Sequence, residues 1–154
     1  MEMKIVLMLC LYISLKEIEG KSHVIRRRGL VDLAEVIYCY TGRSSFAYIG
    51  YGCYCGVGGQ GRPKDRTDWC CQQHDCCYDR ADAAGCVTKM GHYSWTCKDN
   101  AVNCDEAVDK CQKMVCKCDR EFGKCLTKSA YNNRYILYPD FLCGSVYPSC
   151  KYKP

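Results

Sequence analysis

From Asp68 to Asp79 the chain reads Asp-Trp-Cys-Cys-Gln-Gln-His-Asp-Cys-Cys-Tyr-Asp, placing His74 and Asp75 between two cysteine doublets. Four cysteines within eight residues pin a segment firmly, and what they pin is an imidazole beside a carboxylate. An imidazole titrates near neutrality and acts as a general base when a carboxylate holds it in one tautomer. A second carboxylate stands in the later run Cys116-Lys117-Cys118-Asp119. A histidine satisfied by a carboxylate is also an ordinary structural arrangement, so residue types alone leave both readings open.

The elements that must position these groups are legible in the cysteine spacing. Cys70 and Cys77 are seven residues apart, as are Cys104, Cys111, Cys118 and Cys125 in turn. Seven residues are nearly two helical turns and drift only about 20° from a common face. Two helices facing each other antiparallel would pair Cys77 with Cys118 and Cys70 with Cys125. His74 then falls between the rungs, about 40–60° from both. Asp119 follows Cys118 directly, and Tyr78 lies one turn beyond His74. Spacing does not fix the connectivity of so many cysteines, but two rungs of equal separation are what such a ladder requires.

A third feature is Tyr51-Gly-Cys-Tyr-Cys-Gly-Val-Gly-Gly59, poor in side-chain ligands and rich in backbone carbonyls. Phosphate loops need a following Gly-Lys-Ser/Thr or a helix start, and neither is present. A hard cation such as calcium takes carbonyl oxygens together with a carboxylate. A bond between Cys55 and Cys71 would bring this loop beside Asp75. Alone, a glycine-rich turn is a weak sign; joined to Asp75 it gains weight.

The 154-residue chain suits one domain behind targeting segments. Met1 to Gly20 has the parts of a secretory signal: Lys4, an apolar run from Ile5 to Leu15, then charges and Gly20. That run is short of the roughly 20 residues that span a bilayer; a buried helix is the plainer alternative. Arg26-Arg27-Arg28 before Gly29 resembles a processing site, or else a solvated charge run. A chain starting at Gly29 carries sixteen basic and fourteen acidic residues, a net +2 in place of +5. So small an excess, without a basic patch interleaved with aromatics, argues against nucleic acid or heparin as a partner. With Cys10 inside the signal, sixteen of the seventeen cysteines remain, an even and dense set that predicts eight disulfides in an oxidising compartment. Zinc is the competing reading, but adjacent cysteines suit a tetrahedral site poorly. No Asn-x-Ser/Thr sequon occurs.

Along Gly29 to Tyr40, Leu30, Leu33, Ala34 and Ile37 form one helical face, with Val31 off it. Asp65, Thr67 and Asp68 offer helix-start residues ahead of a helix expected from Asp68 to Ala83, ended by Gly85. A small hairpin is expected within Lys89 to Lys98. A long helix is expected from Ala101 to Cys125, with Gly123 near its close. The tail from Tyr131 to Pro154 is expected to be irregular. No internal repeat or second domain is evident.

Taken together, Tyr51 to Gly59, the Asp68 to Tyr78 segment and Cys116 to Asp119 resemble the secreted phospholipase A2 family, most like its group X branch. The resemblance covers Gly29 to Cys150. It implies a mainly α, disulfide-rich fold: an N-terminal helix, a calcium loop, two long antiparallel disulfide-linked helices and a small β-hairpin. It divides the chain into a signal peptide (1–20), a propeptide (21–28) and a phospholipase domain (29–154). It pairs Cys39 with Cys97, Cys53 with Cys143, Cys55 with Cys71 and Cys70 with Cys125. It also pairs Cys76 with Cys150, Cys77 with Cys118, Cys86 with Cys111 and Cys104 with Cys116. Calcium would be held by the carbonyls of Tyr54, Gly56 and Gly58 and by Asp75. His74 would activate a water, oriented by Asp119, with Tyr78 and Tyr93 bonded to Asp119 and the Gly56 N–H serving the oxyanion. The expected reaction is calcium-dependent hydrolysis of the sn-2 ester of glycerophospholipids, giving a lysophospholipid and a fatty acid. The expected setting is extracellular, the enzyme acting as a monomer at membrane surfaces, with a cell-surface receptor as a further partner class. Leu30, Leu33 and Ile37 line the acyl channel in that family, whereas periodicity alone equally allows plain core. Val31, Phe46, Tyr48, Tyr51 and Trp95 are the residues expected at the membrane-facing rim. Inactive relatives acting as receptor ligands or toxins are the alternative, and they typically lose the histidine or the calcium aspartate. Both are intact here.

Overall fold

The computed structural model describes residues 28–150; the expected signal segment and residues 21–27 of the expected propeptide lie outside the described residues. Three helices carry the fold: α1 (Arg28–Thr41), α2 (Arg66–Ala83) and α3 (Lys110–Thr127). α3 is the central member, packing against both α1 and α2. A two-stranded antiparallel hairpin, β1 (Thr96–Lys98) and β2 (Ala101–Asn103), pairs Cys97 with Val102. Among the described residues no helix is long and apolar enough to cross a membrane.

Local chemistry explains where the helices start. Asp65 caps α2, its side chain accepting from the Asp68 N–H at 2.9 Å. Asp109 caps α3, accepting from the Gln112 N–H at 2.8 Å. Each satisfies an N–H that has no partner within its helix. The helix expected from Ala101 therefore begins nine residues later. Residues 101–103 belong instead to β2, because Asp99 and Asn100 both take positive φ (52° and 56°) in the tight turn that closes the hairpin. The hairpin expected within Lys89 to Lys98 is shifted accordingly, only Thr96 to Lys98 being strand. Gly123 does not close α3, which runs on to Thr127. It is where α1 crosses: a Cβ there would lie 2.2 Å from the Tyr40 ring. The tail holds two short 3-10 turns, Asn133–Tyr135 and Asp140–Leu142.

Eight disulfides brace this frame. Cys77–Cys118 and Cys70–Cys125 are the two rungs between α2 and α3. Cys86–Cys111 and Cys104–Cys116 tie the flanks of α3 to its body. Cys39–Cys97 joins α1 to the hairpin, and Cys55–Cys71 joins the glycine loop to α2. Cys53–Cys143 and Cys76–Cys150 hold the tail. Each such bond typically contributes about 2–4 kcal/mol, largely by restricting the unfolded chain.

Asp68 does more than start a helix. Fully buried, its carboxylate accepts from the backbone N–H groups of Cys53, Tyr54 and Lys64, each at 2.8 Å. Gly52, at φ 61°, lies so close that a Cβ would sit 2.3 Å from the Asp68 carboxyl carbon. One side chain thus gathers the glycine loop onto the start of α2. Asp68→Ala would strand those buried donors, each worth about 1–3 kcal/mol when unsatisfied. The expected result is a loss of about 3 kcal/mol or more, read as a fall in melting temperature of about 10 °C.

Candidate active site

The ladder sets His74 on α2 opposite Asp119 on α3. His74 Nε2 lies 2.7 Å from Asp119 Oδ1, with both side chains buried. Tyr78 Oη donates to the same oxygen at 2.8 Å, and the Tyr93 hydroxyl donates to Asp119 Oδ2. Burial, and then the Asp119 charge, push both phenols well above their ordinary range, so each stays a donor. Against two hydroxyl donors Asp119 acts as an acceptor, which puts the imidazole proton on Nε2 and leaves Nδ1 with a free lone pair. The His74 ring stacks on Phe122 (centroids 4.5 Å apart, planes at 25°) and abuts Tyr78 at 4.2 Å. Two aromatic neighbours and a hydrogen bond at one nitrogen hold its orientation.

One residue on, Asp75 is half-buried and makes none of the hydrogen bonds that satisfy Asp68 and Asp119. Burial pushes its carboxyl up to about 7, against the opposing pull of His74. Such a group favours either a proton or a cation. The glycine loop faces it: Tyr54, Gly56, His74 and Asp75 line one cavity, and Cys55–Cys71 fastens the loop one turn from Asp75. Within that loop the Cys53 carbonyl accepts from the Gln60 N–H and the Cys55 carbonyl from the Gly50 N–H. The carbonyls of Tyr54, Gly56 and Gly58 accept no hydrogen bond from the described residues. Beyond Cys55 the loop's carbonyls are thus left without backbone partners, with Gly56 and Gly58 at φ 138° and 83°. Among the described residues no three His, Cys, Asp or Glu side chains converge on a metal position. A cation at this place would draw on one carboxylate and on backbone oxygens, the donor set that a hard ion such as calcium takes.

The cavity measures about 980 Å³ and has an apolar wall. Leu30, Leu33 and Ile37 all line it, together with Phe122 beside His74. Its mouth is ringed by exposed apolar side chains, among them Phe46 (80% exposed), Ile49, Val31 and the fully exposed Val57. Of the five expected rim residues, Val31 and Phe46 sit there. Tyr48 is buried beside the cavity. Tyr51 is wholly buried, its hydroxyl donating to Asp65 and accepting from the Asn132 N–H, because a loop tyrosine with two partners gains by going inside. Trp95 is half-buried against the second core cluster, with Tyr93 and Val102. Ile49 and Val57 went unremarked in the sequence; Val57 is apolar among glycines that offer it nothing to pack against.

With this geometry in hand, known proteins supply a comparison. Residues 30–136 match the family model described as Phospholipase A2. The chain is 48% identical to the Group 10 secretory phospholipase A2 of Homo sapiens over 126 residues, covering 82% of this chain and 76% of that protein. It is 43% identical to the Group 10 secretory phospholipase A2 of Mus musculus over 134 residues, covering 87% and 88%. A Phospholipase A2 of Meiacanthus atrodorsalis is 48% identical over 124 residues, covering 80% and 81%. Agreement of this extent, across the segments that build the site, makes the chain a member of the phospholipase A2 family.

Proposed function

We propose that this protein is a secreted, calcium-dependent phospholipase A2 that cleaves the sn-2 ester of glycerophospholipids at membrane surfaces. The observation that carries the reading is the oriented His74–Asp119 pair, with His74 lining an apolar cavity alongside Asp75, Tyr54 and Gly56, the last two with carbonyls that accept no hydrogen bond. His74 Nδ1 removes a proton from a water, which attacks the ester carbonyl. Asp119, kept an acceptor by Tyr78 and Tyr93, steadies the imidazolium that forms. The proton then passes from His74 to the departing alkoxide as the tetrahedral centre collapses. The Gly56 N–H faces the developing oxyanion. Asp75 and the carbonyls of Tyr54, Gly56 and Gly58 would hold calcium, which would supply Lewis-acid polarisation of the ester carbonyl and offset negative charge there. Leu30, Leu33 and Ile37 sheathe an acyl chain, and the exposed ring at the mouth enters the lipid surface.

Four measurements test this. His74→Gln, folded as judged by near-UV circular dichroism, should lose at least about 100-fold in sn-2 product release, the low end for a general base. A biological effect unchanged in that variant would favour a receptor-ligand role instead. Calcium should raise the melting temperature at pH 8, a response absent in Asp75→Asn. In chelator, the raised Asp75 pKa makes native stability decline as pH climbs from about 4 towards about 7, because the unfolded chain sheds that proton first; Asp75→Asn should remove the decline. With a net charge of only +2 beyond Arg28, apolar insertion outweighs attraction to anionic lipid. Phe46→Ala should therefore slow hydrolysis of phosphatidylcholine vesicles by about tenfold or more, while leaving turnover of a dispersed short-chain lecithin unchanged.

A further inference from the structure

The chain beyond Arg28 is slightly cationic, yet no lysine or arginine lines the cavity. Its charged side chains are Asp75, already placed with the glycine loop, and Glu35. Glu35 belongs to a stripe on α1: at 100° per residue Val31, Glu35 and Tyr38 fall within an arc of about 60°. All three are exposed and all three line the cavity. One carboxylate thus interrupts an otherwise apolar edge on the route by which a lipid would enter. Among the described residues it has no ion-pair or side-chain hydrogen-bond partner.

Glu35 also lines a second, smaller cavity of about 360 Å³, between α1 and the segment that leads into β1. It is the residue common to the two. The smaller cavity again has no lysine or arginine; its other ionisable side chains are Asp32, His92, Tyr93 and Glu106. Asp32 is buried and already answered by His92, whose Nδ1 lies 2.9 Å from Asp32 Oδ2. The Tyr93 hydroxyl is committed to Asp119. No nearby cation is therefore placed to neutralise Glu35 from this side. A carboxylate facing only water would carry no meaning for the reaction; this one stands on the ridge between the cavity that holds His74 and a polar recess beside it.

We infer that Glu35 is a specificity-determining residue, selecting phospholipids whose head group carries a cation over those of net negative charge; this rests on the phospholipase A2 reaction proposed for the same cavity. With an acyl chain against Leu30, Leu33 and Ile37 and the ester at His74, the polar head group must leave the apolar wall towards the exposed edge. A choline or ethanolamine cation there meets a carboxylate that has no counter-ion. A head group without a cation meets repulsion, and no lysine or arginine on either cavity offsets it. Because Glu35 is exposed, solvent screens the interaction and keeps it modest. The head group keeps its charge throughout ester cleavage, so the preference is uniform binding and belongs in KM rather than kcat.

The test measures kcat and KM, with calcium present, on two short-chain lipids kept below their micelle concentration: diheptanoyl phosphatidylcholine and diheptanoyl phosphatidylglycerol. Dispersed lipid removes the attraction of a charged surface and leaves selection by the site. The ratio of kcat/KM for the choline lipid to that for the glycerol lipid should fall about threefold or more in Glu35→Gln, and about tenfold or more in Glu35→Lys. The change should sit in KM and shrink as salt is raised. Glu121→Lys makes the same charge change on α3, away from both cavities, and should leave the ratio as in wild type. An unchanged ratio in Glu35→Lys would overturn the inference, as would an equal shift in Glu121→Lys, which would make selection a matter of net charge. A fall in kcat alone, equal for the two lipids, would overturn it too, reassigning Glu35 to the support of the fold. Wild-type protein inert towards both lipids would instead overturn the phospholipase reading, and this inference with it.

Discussion

Asp119 carries a charge in a place with no contact with water, and the site is organised around making that tolerable. A buried carboxylate is costly unless its oxygens are filled by donors. Three donors converge on it: the imidazole of His74 and the phenol of Tyr78 from α2, and the phenol of Tyr93 from the segment before β1. Each arrives from outside α3, so the carboxylate can be satisfied only when the helices and the hairpin are docked in one register. Cys77–Cys118, immediately beside Asp119, enforces that register covalently. The catalytic reading and the stability of the core thus rest on the same oxygen atoms.

Much of this could be read from residue order. Sevenfold cysteine spacing gave the ladder, because a helix turns the same face outward every seventh position. The ladder in turn placed His74 against Asp119. What could not be read was set by tertiary competition. Val102 lies in a stretch with helical content, yet pairs with Cys97 because Asp99 and Asn100 tolerate positive φ and turn the chain back. Gly123 looks like a terminator from its type alone; only the crossing of Tyr40 shows why a side chain is missing. Tyr51 looks like a surface aromatic until Asp65 and Asn132 are seen to claim its hydroxyl. Asp68 was visible as a helix-start residue but not as the anchor of the loop, since its three N–H partners become neighbours only after folding.

The glycine loop illustrates how a backbone acquires chemistry without side chains. Hydrogen bonds from Gln60 and Gly50 consume the carbonyls of Cys53 and Cys55, fixing the strand of loop between them. The carbonyls of Tyr54, Gly56 and Gly58 are left without backbone partners, and glycine tolerates the positive φ at positions 56 and 58 without steric conflict. Charge shows the same contrast between average and arrangement. A net value near neutrality reports nothing about α3, where Lys110, Lys113, Lys117, Arg120 and Lys124 share one side and Glu121 at its edge pairs with only the last two.

The sulfur cross-links also decide where the molecule can exist in working form. Cys55–Cys71, Cys70–Cys125 and Cys77–Cys118 flank His74 and Asp75, so the geometry around these two residues is held by bonds that a reducing cytosol would not keep. A chain kept under reducing conditions would lose these bonds, and with them the covalent register that sets the His74 imidazole against the Asp119 carboxylate.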